Sequence, residues 1–254
     1  MHLALLVALL QGSPPPPRSV YHVSAAVDIP VTLGAALVMA VPYRYANRWI
    51  TPRCPCDPAE VNSFDRGAIG NRNPGAATVS DVTVGVALIA PLVFDAIDVG
   101  TGEVWREDAL VFAQTLAVNG ALVTATKFIA QRPVPRTYAG DPELIDSPEG
   151  YRSFYSGHTS NVFAALSATA MTIRLRYGEK TWPWIVTGVV GTSVALERVA
   201  DGRHFPTDVI TGAVMGTAVG ILVPWLHSRS PSAGSPSAAP GPRGGFVVGW
   251  QLQF

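Results

Sequence analysis

The stretch "VITGAVMGTAVGILVPWL", residues 209–226, runs for 18 residues without a charged side chain. Such a segment is read as a helix whose surface is mostly apolar, and its length approaches the roughly 20 residues that cross a bilayer. A second stretch, "WPWIVTGVVGTSVAL" at 182–196, is equally free of charge. Only 14% of the 254 residues are charged and 48% are hydrophobic, whereas soluble domains carry about a quarter charged. The chain is therefore read as all-α and membrane-embedded, with an apolar soluble bundle as the alternative. The formal net charge is zero, which argues against a broad basic surface and against nucleic acid as a partner.

Six helical segments follow from the apolar runs and their end signals. The first covers 23–45. Residues 46–79, rich in Pro, Gly, Asn and Asp, read as loop. Ser80 reads as the N-cap of the second helix, with Asp81 in its first turn. The third covers 104–131 and is stopped by Pro133 and Pro135. A loop of about twenty residues follows, longer than packing needs and of the kind that is often functional. The fourth helix covers 156–177 with Ser156 at its N-cap, and the fifth covers 182–199. The sixth covers 205–226, with Pro206 suited to the first helical position. Gly212, Gly216 and Gly220 recur every fourth residue on it and point to close helix packing. Asp95 and Asp98 read as a solvated helix end.

The flanks are simpler. Residues 1–19 join a short apolar run to a Pro-rich break, and fit an export signal or a frayed apolar start equally. Residues 20–228 form the helical domain. Residues 229–254 are a Pro/Ser/Gly-rich linker ending in "FVVGWQLQF", a candidate short strand. Cys54 and Cys56 in "CPCDP" read as two loop thiols. A bridge over so short a span would be strained, and a lone C-x-C lacks the second ligand pair of a zinc site.

In an up-and-down bundle these helices bring their polar ends together. Lys127 and Arg132 lie where the third helix ends, with Ser156, Gly157 and His158 where the fourth begins. Glu197 and Arg198 close the fifth, and His204 and Asp208 open the sixth. Lysine and arginine supply local positive charge, and the guanidinium fork suits phosphate oxygens. A helix start at Ser156 offers amides to an anion. Histidine attacks phosphorus or moves a proton near neutral pH. Asp208, one turn after His204, is placed to accept a hydrogen bond from one ring nitrogen and leave the other free. Arg203 reads as solvent-facing, and His2, His22 and His227 as incidental. No carboxylate–histidine cluster suggests a metal.

The ordered set "KFIAQRPVPRTY", "SFYSGHTS" and "ERVADGRHFPTD" resembles the type 2 phosphatidic acid phosphatase (PAP2) family, which includes bacterial acid phosphatases and vanadium haloperoxidases. Members of that family read Lys-x6-Arg-Pro, Pro-Ser-Gly-His and Ser-Arg-x5-His-x3-Asp. Here Val134 falls at the sixth-spacing arginine, so Arg132 or Arg136 serves instead. Tyr155 and Glu197 replace the usual Pro and Ser. The resemblance implies a six-helix bundle with its active site at one mouth. It implies His204 as nucleophile, Asp208 as its orienting partner and His158 as proton donor and acceptor. Lys127, Arg132, Ser156, Gly157 and Arg198 would hold the phosphoryl oxygens, with no cofactor. The implied function is a metal-independent phosphatase of phosphate monoesters or pyrophosphates, on lipids, with the site facing the periplasm or exterior. The alternatives are a soluble periplasmic acid phosphatase acting on small phosphate esters, a haloperoxidase that holds vanadate, and a membrane scaffold with a decayed site.

Overall fold

The computed structural model describes residues 18–229, 236–240 and 246–250; the possible export signal lies almost wholly outside them. Among the described residues six long helices occur: α1 (Ala25–Arg44), α2 (Pro74–Val99), α3 (Glu103–Ala130), α4 (Gly157–Tyr177), α5 (Trp182–Ala200) and α6 (Pro206–His227). Five of the six helices start and end within two residues of the sequence reading. The exception is the start of α2. Asn73 caps it by accepting from the Ala76 N–H at 3.1 Å, with Pro74 next. An Asn cap followed by proline is a stronger start than serine alone. Ser80 instead lies buried inside the helix and donates to the Ala77 carbonyl.

The central helix is α4, which packs against α2, α3, α5 and α6, whereas α1 lies against α3. The buried face of α4 is small: Ser160, Ala164, Ser167, Ala168 and Ala170. This lets α6 approach its backbone. A Cβ added at Gly216 would lie 2.2 Å from the Ser160 carbonyl oxygen, and at Gly220 2.5 Å from that of Ala164. The glycine stripe is thus the contact surface of the tightest helix pair, as its spacing implied.

The bundle differs from a soluble one in its apolar surface and in the polar groups buried among its apolar core. Thr115, Asn119, Ser160, Ser167 and Asp208 are fully buried, while Leu37, Phe94, Ile97, Val189 and Val214 are exposed. Inside, Ser160 donates to Asn119, which donates to Asn161. A surface so apolar is stable only against an apolar medium. Four segments are long and apolar enough to cross a membrane, beginning at Ala25, Pro74, Glu103 and Pro206. The protein is a membrane-embedded helical bundle.

Two expectations for the flanking segments change. Cys54 and Cys56 form a disulfide, not two thiols. Their Cα atoms are 4.5 Å apart, which is within bridging distance because the loop folds back on itself. Its turn is held by the Cys54 N–H donating to the Tyr151 hydroxyl at 2.9 Å. The C-terminal segment does contain a strand, β2 (Phe246–Trp250), but it pairs antiparallel with β1 (Pro236–Pro240) from inside the linker-like tract. Two prolines at the ends of β1 are compatible with an edge strand.

Gly216→Leu forces α4 and α6 apart and is expected to destabilise the protein by about 1–3 kcal/mol or more. Thermal unfolding in detergent reads this directly. Gly85→Ala, where nothing lies within 4 Å of the new Cβ, should not lower the transition and should raise it slightly through helix propensity.

Candidate active site

The end of α3 and the starts of α4 and α6 meet at one mouth of the bundle with the end of α5. Between them lies a cavity of about 380 Å³. Lys127, Gly157, His158, Arg198 and His204 all reach it, so five of the eight residues singled out in the sequence share one cavity. The rest of the lining is partly apolar, with Met39 and Tyr43 from α1 and Val123 from α3 beside the polar groups.

His204 is buried, and its Nδ1 lies 2.8 Å from the Ser153 carbonyl oxygen. A carbonyl only accepts, so Nδ1 carries the proton and Nε2 of the neutral ring holds a free lone pair. Burial above all, together with the charge of Lys127, pushes the pKa of His204 down to about 3, against the opposing pull of Asp208. The ring is therefore neutral across the physiological range.

Asp208 stands behind His204 rather than on it. The nearest approach, Nδ1 to Oδ2, is 3.8 Å, too long for a hydrogen bond. The expected direct bond is replaced by that to Ser153, because the Asp208 oxygens are already engaged. Oδ2 accepts from the Phe205 N–H at 2.9 Å and from the Ser153 hydroxyl, and Oδ1 from Arg132 at 2.6 Å. Asp208 thus fixes the loop that fixes His204.

Arg132 is engaged by carboxylates on two sides. Its second nitrogen pairs with Asp65 at 2.8 Å, and its guanidinium lies over the Phe205 ring. The packed ring and two carboxylates leave it outside the cavity lining. Arg136, the other candidate for the missing motif arginine, pairs with Asp141. Ser156 caps α4, accepting from the Thr159 N–H, and its buried hydroxyl shares a hydrogen bond with that of Thr159. The cap therefore positions Gly157 and His158 without itself lining the cavity.

His158 Nε2 lies 2.8 Å from Asp81 Oδ1. Burial and then the charge of Arg198 lower its pKa, while Asp81 opposes them. Arg198 is held by Ser80 at 3.2 Å and Asp201 at 3.4 Å, yet its buried Nε has no partner. Lys127 donates to the Arg152 carbonyl.

Several residues at the mouth were missed. Arg203 lines the cavity and pairs with Glu149 at 2.9 Å, so it is not a free solvent-facing group. Arg152 also lines it. Their places beside His204 and just before Ser156 were a usable signal. Ser153, Asp65 and the pairing role of Asp81 carried none, because their partners are 51 to 142 residues away in sequence. His227, expected to be incidental, pairs with Asp28 at 3.1 Å and ties α6 to α1. Among the described residues, no group of three or more His, Cys, Asp or Glu side chains is arranged to hold a metal ion.

Residues 108–232 match the model of the PAP2 superfamily. The chain is 30% identical over 131 residues to a lipid A 1-phosphatase of Porphyromonas gingivalis, an alignment covering 50% of this chain and 25% of that protein. It is 39% identical over 83 residues to a probable diacylglycerol pyrophosphate phosphatase of Schizosaccharomyces pombe, covering 30% of each. The chain thus spans about a quarter to a third of the length of these relatives. Among solved structures, LpxE from Aquifex aeolicus superposes with a TM-score of 0.46 at 23% identity, covering 65% of this chain and 96% of that one.

Arg132→Gln leaves Asp65 and Asp208 buried without their cation, and breaking such a pair costs about 3–5 kcal/mol. The variant should unfold at lower temperature in detergent as well as lose function. Wild-type thermal stability with lost function would instead place Arg132 on the substrate.

Proposed function

The chain belongs to the PAP2 superfamily through residues 108–232, and on that premise we propose that it hydrolyses phosphate monoesters or pyrophosphates carried on lipids. The observation that carries this is His204: a neutral imidazole, pinned at Nδ1, that lines one cavity together with Lys127, Arg198 and His158. In the first step Nε2 attacks phosphorus and the bond to the leaving oxygen breaks. His158 gives that oxygen its proton. In the second step His158 takes a proton from water, the water oxygen attacks phosphorus, and the P–N bond breaks. Phosphate leaves and His204 is restored.

Lys127, Arg198, the Gly157 amide and the Ser156-capped helix start hold the phosphoryl oxygens, with Arg152 and Arg203 as further cations. The orphaned Nε of Arg198 supports this, since a buried donor without a partner costs about 1–3 kcal/mol until something accepts from it. Fixed donors aimed at developing charge also provide the stabilisation that a metal provides elsewhere. Arg132 acts through Asp208 as a positioning residue. The helical domain, 20–228, suffices for all of these groups.

A lipid substrate is favoured by the exposed apolar surface and by the apolar lining residues Met39, Tyr43 and Val123 beside the cations. The same surface disfavours the soluble acid phosphatase. The site faces the periplasm or exterior in this reading. Support comes from the Cys54–Cys56 disulfide, in a loop hydrogen-bonded to Tyr151 of the segment before α4, since disulfides persist in oxidising compartments.

Purified protein with chelator present should release phosphate from phosphatidic acid or a lipid pyrophosphate. His204→Gln should lower the rate by at least about 10³-fold, the scale lost when a nucleophile is removed. No release from folded wild type on either substrate overturns the reading; bromide oxidation on adding vanadate would then select the haloperoxidase.

The acid form of His158 sets a pH limit. A lowered pKa means that kcat/KM falls as pH rises, with a midpoint below the 6.5 of the free imidazole. Asp81 holds that pKa up, so Asp81→Asn should move the midpoint to still lower pH. A pH–rate profile that does not move, or moves upward, contradicts the pairing.

A further inference from the structure

At the far end of α4, about 30 Å from the site by its 21 residues, lies a second cavity of about 330 Å³. Its polar side is built on Arg176, whose side chain is 5% exposed. Nη1 pairs with Asp95 at 2.9 Å and stands 4.0 Å from Asp98, and Nη2 bonds Asp108. The solvated helix end read from the sequence holds for Asp98, whose side chain is 47% exposed, but not for Asp95, which the guanidinium draws inward together with Asp108.

Ion pairing alone leaves the cluster unsatisfied. Asp95 Oδ2 and Asp108 Oδ1 are buried acceptors without a partner, although the Asp108 side chain is only 5% exposed. Arg176 Nε is a buried donor without a partner. A purely structural network closes on itself, because orphaned buried groups are costly. Here spare acceptors and a spare donor belong to residues that line the same cavity. Lys180, on the lining, makes no ion pair among the described residues. The remaining lining is mostly aromatic and apolar, with Phe94, Phe112, Tyr177 and Trp182 beside Thr169 and Thr172. Phe94 and Trp182 are exposed, so the cavity has an apolar, accessible rim.

Spare carboxylate oxygens among aromatic rings suit an organic ammonium, and a spare guanidinium donor beside a lysine suits a phosphate. A bare metal ion is a poorer fit, because the carboxylates are not grouped to coordinate one. We propose that this cavity binds the zwitterionic headgroup of an aminophospholipid, its ammonium on Asp95 and Asp108, its phosphate on Arg176 and Lys180, and its chains leaving past Phe94 and Trp182. The position at helix ends with aromatic flanks matches the headgroup level of a bilayer. The site is separate from the His204 mouth and does not depend on the activity proposed there.

The full chain in neutral maltoside detergent is titrated with lysophosphatidylethanolamine, and the shift in unfolding temperature is read. Saturable stabilisation is expected, with lysophosphatidylglycerol at least tenfold weaker. Asp108→Asn should weaken the half-saturation by at least tenfold. Because that change sits in the buried network, Trp182→Ala and Asp98→Asn, both at exposed positions, serve as variants that fold, and each should weaken it at least threefold. Equal stabilisation by lysophosphatidylglycerol, or a half-saturation unmoved in the two exposed variants, overturns the proposal.

Discussion

Asp208 is fully buried and both of its oxygens are occupied. Through them the end of α3, the loop before α4 and the start of α6 are fastened to one another. The Ser153 hydroxyl reaches Asp208 while its carbonyl holds His204, so one short segment links the carboxylate to the imidazole. The Ser156 N–H donates to the Asp208 carbonyl at 3.1 Å, which sets the start of α4. Arg132 and Asp65 extend the cluster to the loop before α2. A buried carboxylate is tolerable only with such partners, and the need to satisfy it forces the helix ends into one place.

That placement works because the bundle presents an apolar surface. Apolar side chains on α1, α2 and α6 turn outward, and the interior carries hydroxyls and amides among its apolar core. Helices cannot associate by hiding apolar surface when the surroundings are apolar too, so close packing and internal hydrogen bonds hold them. The Gly212–Gly220 stripe on α6 and the small face of α4 provide the first, and the Ser160–Asn119–Asn161 chain the second. Both lie directly beneath the mouth and keep its donors in register.

Much of this was legible in the sequence, for physical reasons. Uncharged helical runs, Pro206 at a first helical position and the glycine repeat are local signals, and local signals survive in a linear reading. His158, His204, Lys127, Gly157 and Arg198 could be placed at one cavity because helix ends in an up-and-down bundle meet by topology. What was not legible depends on distant pairing. Arg132 sits at a promising place, but Asp65 and Asp208 compete for it with any ligand. Ser153 looked like an ordinary loop serine, yet its carbonyl decides the tautomer of His204. Asp95 read as solvated because its partner Arg176 lies 81 positions onward. The disulfide was missed because the fold of its own loop, pinned by Tyr151, decides whether the two sulfurs meet.

The central claim is that His204 waits as a neutral ring with Nδ1 protonated and Nε2 free. Nitrogen-15 NMR of protein labelled at histidine, with His204→Gln used to assign the resonance, measures this directly. The account predicts a protonated Nδ1 and an unprotonated Nε2 at His204, unchanged between pH 5 and pH 8, because its pKa lies near about 3. An imidazolium in that range, or a ring protonated at Nε2, would contradict it.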